Sequence, residues 1–154
     1  MIEQFLNSGE FQDNIAPIIR LYFAAYARLP DTTGLNFWSN QLRAGMSLEG
    51  VAQVFVSASE FVQRYGALDN RGFVAAIYLN VLGRAGDAAG LDYWSGQLAR
   101  GALSRGALLV VFAESDEYKA RMASSDRVVA IYSAMLRRAP DDAGYAAAAA
   151  MAAL

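Results

Sequence analysis

Apolar side chains recur along this chain at spacings of three and four. Ile18, Ile19, Tyr22 and Tyr26 form one such series, and Phe73, Ile77, Tyr78 and Leu82 form another. That spacing places each set on one face of an α-helix. Leu35, Trp38 and Leu42 keep the same rhythm, as do Leu91, Trp94 and Leu98. A further helix carries Val51, Val54 and Phe55, and its counterpart carries Leu108, Val111 and Phe112. No segment alternates cleanly with a period of two, so the pattern predicts an all-α protein with essentially no sheet.

Polar positions between these series mark the helix ends. Pro17 and Asn70 stand near two helix starts. Gly45 and Gly101 follow their helices and suit the left-handed C-cap position. Ser47 and Ser104 then read as N-caps of the next helix. Ser59 or Asp116 is expected to cap a short helix holding Phe61 or Tyr118, with Gly66 ending the first of these. Ser57 to Glu60 also fits a capping box.

The pattern is written more than once. Arg28 to Gly45 reads RLPDTTGLNFWSNQLRAG, and Arg84 to Gly101 reads RAGDAAGLDYWSGQLARG. Arg28, Asp31, Gly34, Leu35, Trp38, Gln41, Leu42 and Gly45 all have an identical residue 56 positions on, as Arg84 and Gly101 illustrate. A third copy opens at Tyr132, Arg138, Asp141 and Gly144, then decays into alanines with Ala148 at the tryptophan position. A second element, F-x-x-S-x-E-[FY], occurs at Phe5–Phe11 and Phe112–Tyr118, and at Phe55–Phe61 with Ala58 in place of serine. Self-similarity on this scale marks repeat architecture, because one small helical unit cannot bury both of its faces alone.

The expected organisation is therefore a tail of a preceding unit at 1–15, repeat units at 16–69 and 70–125, and a degenerate partial unit at 126–154. Each unit holds about three helices plus a short fourth, and the units stack into one compact helical domain. The truncated first unit reads as a fragment of a longer protein.

Composition narrows the function. The chain of 154 residues is 55% hydrophobic, with a mean hydropathy of +0.20, yet no apolar run is long enough to span a bilayer. Early Glu3 and the lack of a basic leading segment argue against a signal peptide, and no membrane insertion is expected. Thirteen basic and fifteen acidic residues give a net charge of −2, which disfavours nucleic acid as a partner. Histidine and cysteine are absent, which rules out a Ser-His-Asp triad, a cysteine nucleophile, a Cys/His zinc site and disulfides. The commonest general base at neutral pH is missing too, so no enzyme is expected. The glycines of LGRAGDAAG follow a helix and lack G-x-x-x-x-G-K, which excludes a phosphate loop.

The motif R-x-x-D-x-x-G-L-x-[FY]-W, with the flanking tyrosine and F-x-x-S-x-E-[FY], resembles a bacterial family known as domain of unknown function 4214. It is more distantly similar to the phycobilisome linker repeat. The resemblance spans roughly Ile18 to Gly144. It implies a modular part of larger secreted or cell-surface proteins, often beside calcium-binding repeats, and no catalytic activity. The third unit departs from the family pattern in losing its Trp and Gln.

The recurring residues admit a structural and a functional reading. Arg28, Asp31 and Gly34, with Arg84, Asp87 and Gly90, and with Arg138 and Asp141, are first of all structural. Each Asp caps the tryptophan helix, each Arg pairs with that Asp or with open carbonyls, and each Gly allows close packing. Calcium at the Asp31, Asp87 and Asp141 loops is the alternative, each loop offering one carboxylate plus carbonyls. Trp38 and Trp94 read as core residues, or else as platforms for a sugar ring aided by Gln41 and Gln97. Glu60 and Glu117 suit a helix first turn. The expected function is a non-enzymatic interaction module of a bacterial secreted or cell-surface protein, in attachment or matrix assembly, binding a protein or a glycan or self-associating. The alternatives are an intracellular linker-like scaffold and a calcium-dependent structural module. No cofactor is expected, calcium apart.

Overall fold

The computed structural model describes residues 2–123, and every described element is helical. A short α1 (Ile2–Leu6) leads into a π-helical segment (Phe11–Ile15) and directly on into α2 (Ala16–Tyr26). Then come α3 (Thr32–Arg43), α4 (Leu48–Ser57) and α5 (Ser59–Tyr65). The second unit repeats the order with α6 (Asn70–Ile77), a π-helical continuation (Tyr78–Leu82), α7 (Ala88–Ala99) and α8 (Arg105–Ala113). Residues 116–123 are again helical. The third-unit residues Tyr132, Arg138, Asp141, Gly144 and Ala148 lie outside the described residues.

The central helix is α2. Its sequence APIIRLYFAAY is apolar nearly all round, and all of its residues but Phe23 are buried. Pro17 sits in its first turn, just where the π-helical segment passes into α2. Around α2 pack α3, α4, α5 and, from the second unit, α8. The broadest helix contact joins α4 to α8, so equivalent helices of the two units face each other. Buried residues of both units, from Leu6 to Met122, join in one cluster. By contrast, α7 has no fully buried residue and leans Leu91, Trp94 and Leu98 on that cluster from outside.

Helix ends follow the predicted local chemistry with some corrections. Ser47 and Ser104 accept from the backbone N–H groups of Gly50 and Ala107, and Gly45 and Gly101 leave their helices at φ +97° and +67°. Ser59 and Asp116 are not caps. Ala58 holds the N-cap position of α5 without a side-chain bond, and Ser115 accepts from Tyr118 N at 3.2 Å. Ser8 does the same for Phe11, so the serine of F-x-x-S-x-E-[FY] is the cap and Ala58 is the unit that lost it. Nor does Ser57 form a capping box, since its hydroxyl donates back to Gln53 O. The spacing of three and four turns Val54 and Val111 inward, yet they are 47% and 40% exposed. Val51, Ala52 and Phe55 fill the inward stripe of α4, which leaves Val54 on its flank.

One exit is strained. Gly83 ends the second tyrosine helix at φ +69°, and its counterpart Ala27 adopts φ +53° with a methyl group. The left-handed conformation costs a non-glycine residue about 1–2 kcal/mol, part of which a glycine returns as unfolded-state entropy. Ala27→Gly is therefore expected to stabilise the fold by about 0.5–1 kcal/mol. Thermal unfolding checks this, and an unchanged or lower Tm would show that the Ala27 exit carries no strain.

Candidate functional site

Each unit gathers its repeated residues around one tyrosine. In unit one, Tyr22 comes from α2 and Arg28 follows the left-handed turn at Ala27. The Arg28 guanidinium lies over the rings of Tyr22 at 5.5 Å and Tyr26 at 5.3 Å. Its Nε and Nη2 donate to the two carboxylate oxygens of Glu60 at 2.9 and 3.0 Å, and Nη1 donates to Leu29 O at 3.1 Å. In unit two, Arg84 lies over Tyr78 at 5.3 Å and grips Glu117 the same way, at 2.8 and 3.1 Å. The expected Arg–Asp pairing is thus corrected to an Arg–Glu fork, and the open carbonyl serves in unit one. The Asp instead caps its helix: Asp31 accepts from Gly34 N at 2.5 Å and Asp87 from Gly90 N at 2.7 Å.

The glycines Gly34 and Gly90 are there for the tyrosines. A Cβ on Gly34 would run into the Tyr22 hydroxyl, and one on Gly90 would lie 2.5 Å from the Tyr78 hydroxyl and 2.7 Å from Asp87 Oδ1. Capping aspartate, bare backbone and tyrosine hydroxyl therefore form one interlocked corner in each unit. Burial pushes the Tyr22 phenol up from its ordinary pKa, and pushes Tyr26 up to about 12.

The tryptophans are half-buried. Trp38 meets Phe55 edge to face at 5.3 Å, and Trp94 meets Phe112 at 5.7 Å. Just before each comes an exposed aromatic residue: Phe37 packs on Trp38 at 4.9 Å and Tyr93 on Trp94 at 4.8 Å. Gln41 and Gln97 lie one turn further along the same helices, half-buried, and their backbone carbonyls accept the turn bonds from Met46 and Ala102. Neither amide joins the cleft at Trp94. Asp31 and Asp87 lie in separate caps, and among the described residues no group of three or more acidic residues could hold a metal ion. No described helix is long and apolar enough to cross a membrane.

Arg28 and Arg84 hold the Glu60 and Glu117 carboxyls below the usual carboxylate range, chiefly by direct hydrogen bonds. A lowered native pKa contributes stability that is present above the unfolded pKa and is lost as pH falls through the native one. Tm is thus expected to fall on acidification below about pH 4.5, and less steeply in the double variant Glu60→Gln, Glu117→Gln. Equal slopes in a pH series of melts would show that these forks do not couple to folding.

The fold and this duplicated corner define the class: a tandem helical-repeat domain with a tyrosine, a capping aspartate and a tryptophan at the heart of each unit. Two overlapping stretches, residues 2–64 and 52–122, match the model of one family, described as Domain of unknown function (DUF4214). The chain belongs to that family. Each match runs from one F-x-x-S-x-E-[FY] element to the next. No curated protein and no solved structure matches the chain.

Proposed function

We propose that this chain is a non-enzymatic interaction module of a bacterial secreted or cell-surface protein, binding a protein or glycan in attachment or matrix assembly. One observation carries the reading. Phe37 and Tyr93, at equivalent positions beside the two tryptophans, are 52% and 57% exposed. A large aromatic left in solvent at the same place in both units is poorly explained by packing, and aromatics at a surface are the side chains that partners use most. Val111 shares a cleft with Trp94, and its counterpart Val54 is exposed as well.

The test is a panel of immobilised glycans and matrix proteins, with a second copy of the chain included, probed with the wild type and with Phe37→Ala, Tyr93→Ala. Binding that drops at least about tenfold in the variant supports the reading, since surface anchors at hot spots carry 1.4 kcal/mol or more. Binding to nothing, or binding unchanged in the variant, overturns it. A Tm rise in millimolar calcium with no binding would favour a calcium-dependent structural module instead.

A further inference from the structure

The two units differ at two positions around one cleft: Leu82 stands where unit one has Tyr26, and Ser115 where it has Ala58. In unit two a cleft of about 170 Å³ opens between Tyr78, Leu82, Arg84, Trp94, Val111 and Phe112. Every one of these positions has a counterpart in unit one, and five keep the same residue: Tyr22, Arg28, Trp38, Val54 and Phe55. The sixth is Leu82, and its counterpart is Tyr26. In unit one the Tyr26 ring is buried 5.1 Å from Phe55 and 5.7 Å from Tyr22, under the Arg28 guanidinium. Its hydroxyl donates to Phe55 O at 3.2 Å. Leu82 supplies no ring and no hydroxyl. In unit two the matching carbonyl, Phe112 O, takes its bond from the Ser115 hydroxyl at 2.8 Å, and Ser115 also lines the cleft. Unit two therefore keeps the walls of a tyrosine's seat without the tyrosine.

We infer that this cleft receives one phenol ring from outside, a tyrosyl side chain of a partner protein, in the place that Tyr26 holds in unit one. The volume suits a single ring and falls short of the roughly 300 to 1,000 Å³ typical of larger ligands. The Arg84 guanidinium offers a cation to the ring face, as Arg28 does to Tyr26, which favours an aromatic ring over a pyranose. The incoming hydroxyl meets Ser115 as its polar neighbour, and Glu117 keeps Arg84 in position at the rim. This site deepens the interaction-module reading and rests on it for its biological partner.

The experiment titrates the full chain with N-acetyl-tyrosinamide and follows the two indole N–H resonances by NMR. A saturable shift of Trp94, with a millimolar Kd and with Trp38 still, is the expected result. Leu82→Tyr is expected to fill the cleft and weaken binding at least about tenfold. Tyr26→Leu is expected to open a second cleft and bring a shift to Trp38. Should either variant fail to fold, the wild type still decides. N-acetyl-leucinamide shifting Trp94 as strongly as the tyrosine ligand overturns the site, as does a methyl glycoside that binds in its place or a silent Trp94. Those failures are separate from the panel result above: a silent Trp94 removes the tyrosyl site even where Phe37→Ala, Tyr93→Ala abolishes binding to a polymer.

Discussion

Replacing Glu114 with alanine is expected to destabilise the protein by about 3 kcal/mol, a large part of the margin of an ordinary domain. Arg20 lies on the central helix α2, and its side chain is only 6% exposed. Its Nε and Nη2 donate to the two Glu114 oxygens at 2.9 and 3.0 Å, and Lys119 Nζ approaches the same carboxylate at 3.1 Å. A paired charge at such depth roughly breaks even against an apolar substitute, but removing Glu114 takes the bidentate carboxylate away from a guanidinium in a medium that solvates it poorly. Glu114 is itself one-quarter exposed, which sets the expectation at the lower end of the usual range. Urea denaturation measures the loss. The paired replacement Arg20→Met with Glu114→Leu is expected to recover most of it. A loss below about 1 kcal/mol for Glu114→Ala would mean that water reaches the guanidinium and that the pair behaves as a surface bridge.

Phe55→Ala is expected to cost about 3–5 kcal/mol, and more than Phe112→Ala at the equivalent position. Phe55 touches three rings, Tyr22 at 4.9 Å, Tyr26 at 5.1 Å and Trp38 at 5.3 Å. Phe112 touches Tyr78 at 5.0 Å and Trp94 at 5.7 Å and borders the open cleft, so its removal leaves fewer contacts unmade. Equilibrium unfolding of the two variants ranks them. The reverse order would show that Tyr26 and Leu82 do not occupy matching space.

Much of this is visible in sequence where the physics is local. Asp31, Ser47, Asp87 and Ser104 each accept from an N–H three residues on, so the residue type and its place before an apolar series nearly suffice. The repeat likewise exposes what both units need. Partners that lie far along the chain leave no such trace. Glu60 meets Arg28 across 32 residues, and the R-x-x-D spacing points to the wrong acid. Arg20 and Glu114, 94 residues apart, correspond to Ala76 and Ser57 in the other unit, so repetition hides the pair altogether. The left-handed Ala27 could be suspected only by aligning it with Gly83. Leu82 against Tyr26 was visible in the same way, but its meaning as an opened seat needs the walls around it.

The packing of α2 against α8 bears on how the protein is made. A ribosome delivers α2 well before Arg105–Ala113 exists, so the side of α2 that α8 covers stays bare until α8 has been made. The first unit is then an unfinished surface awaiting its second half, and apolar surface left open at that stage is where wrong association between chains can begin.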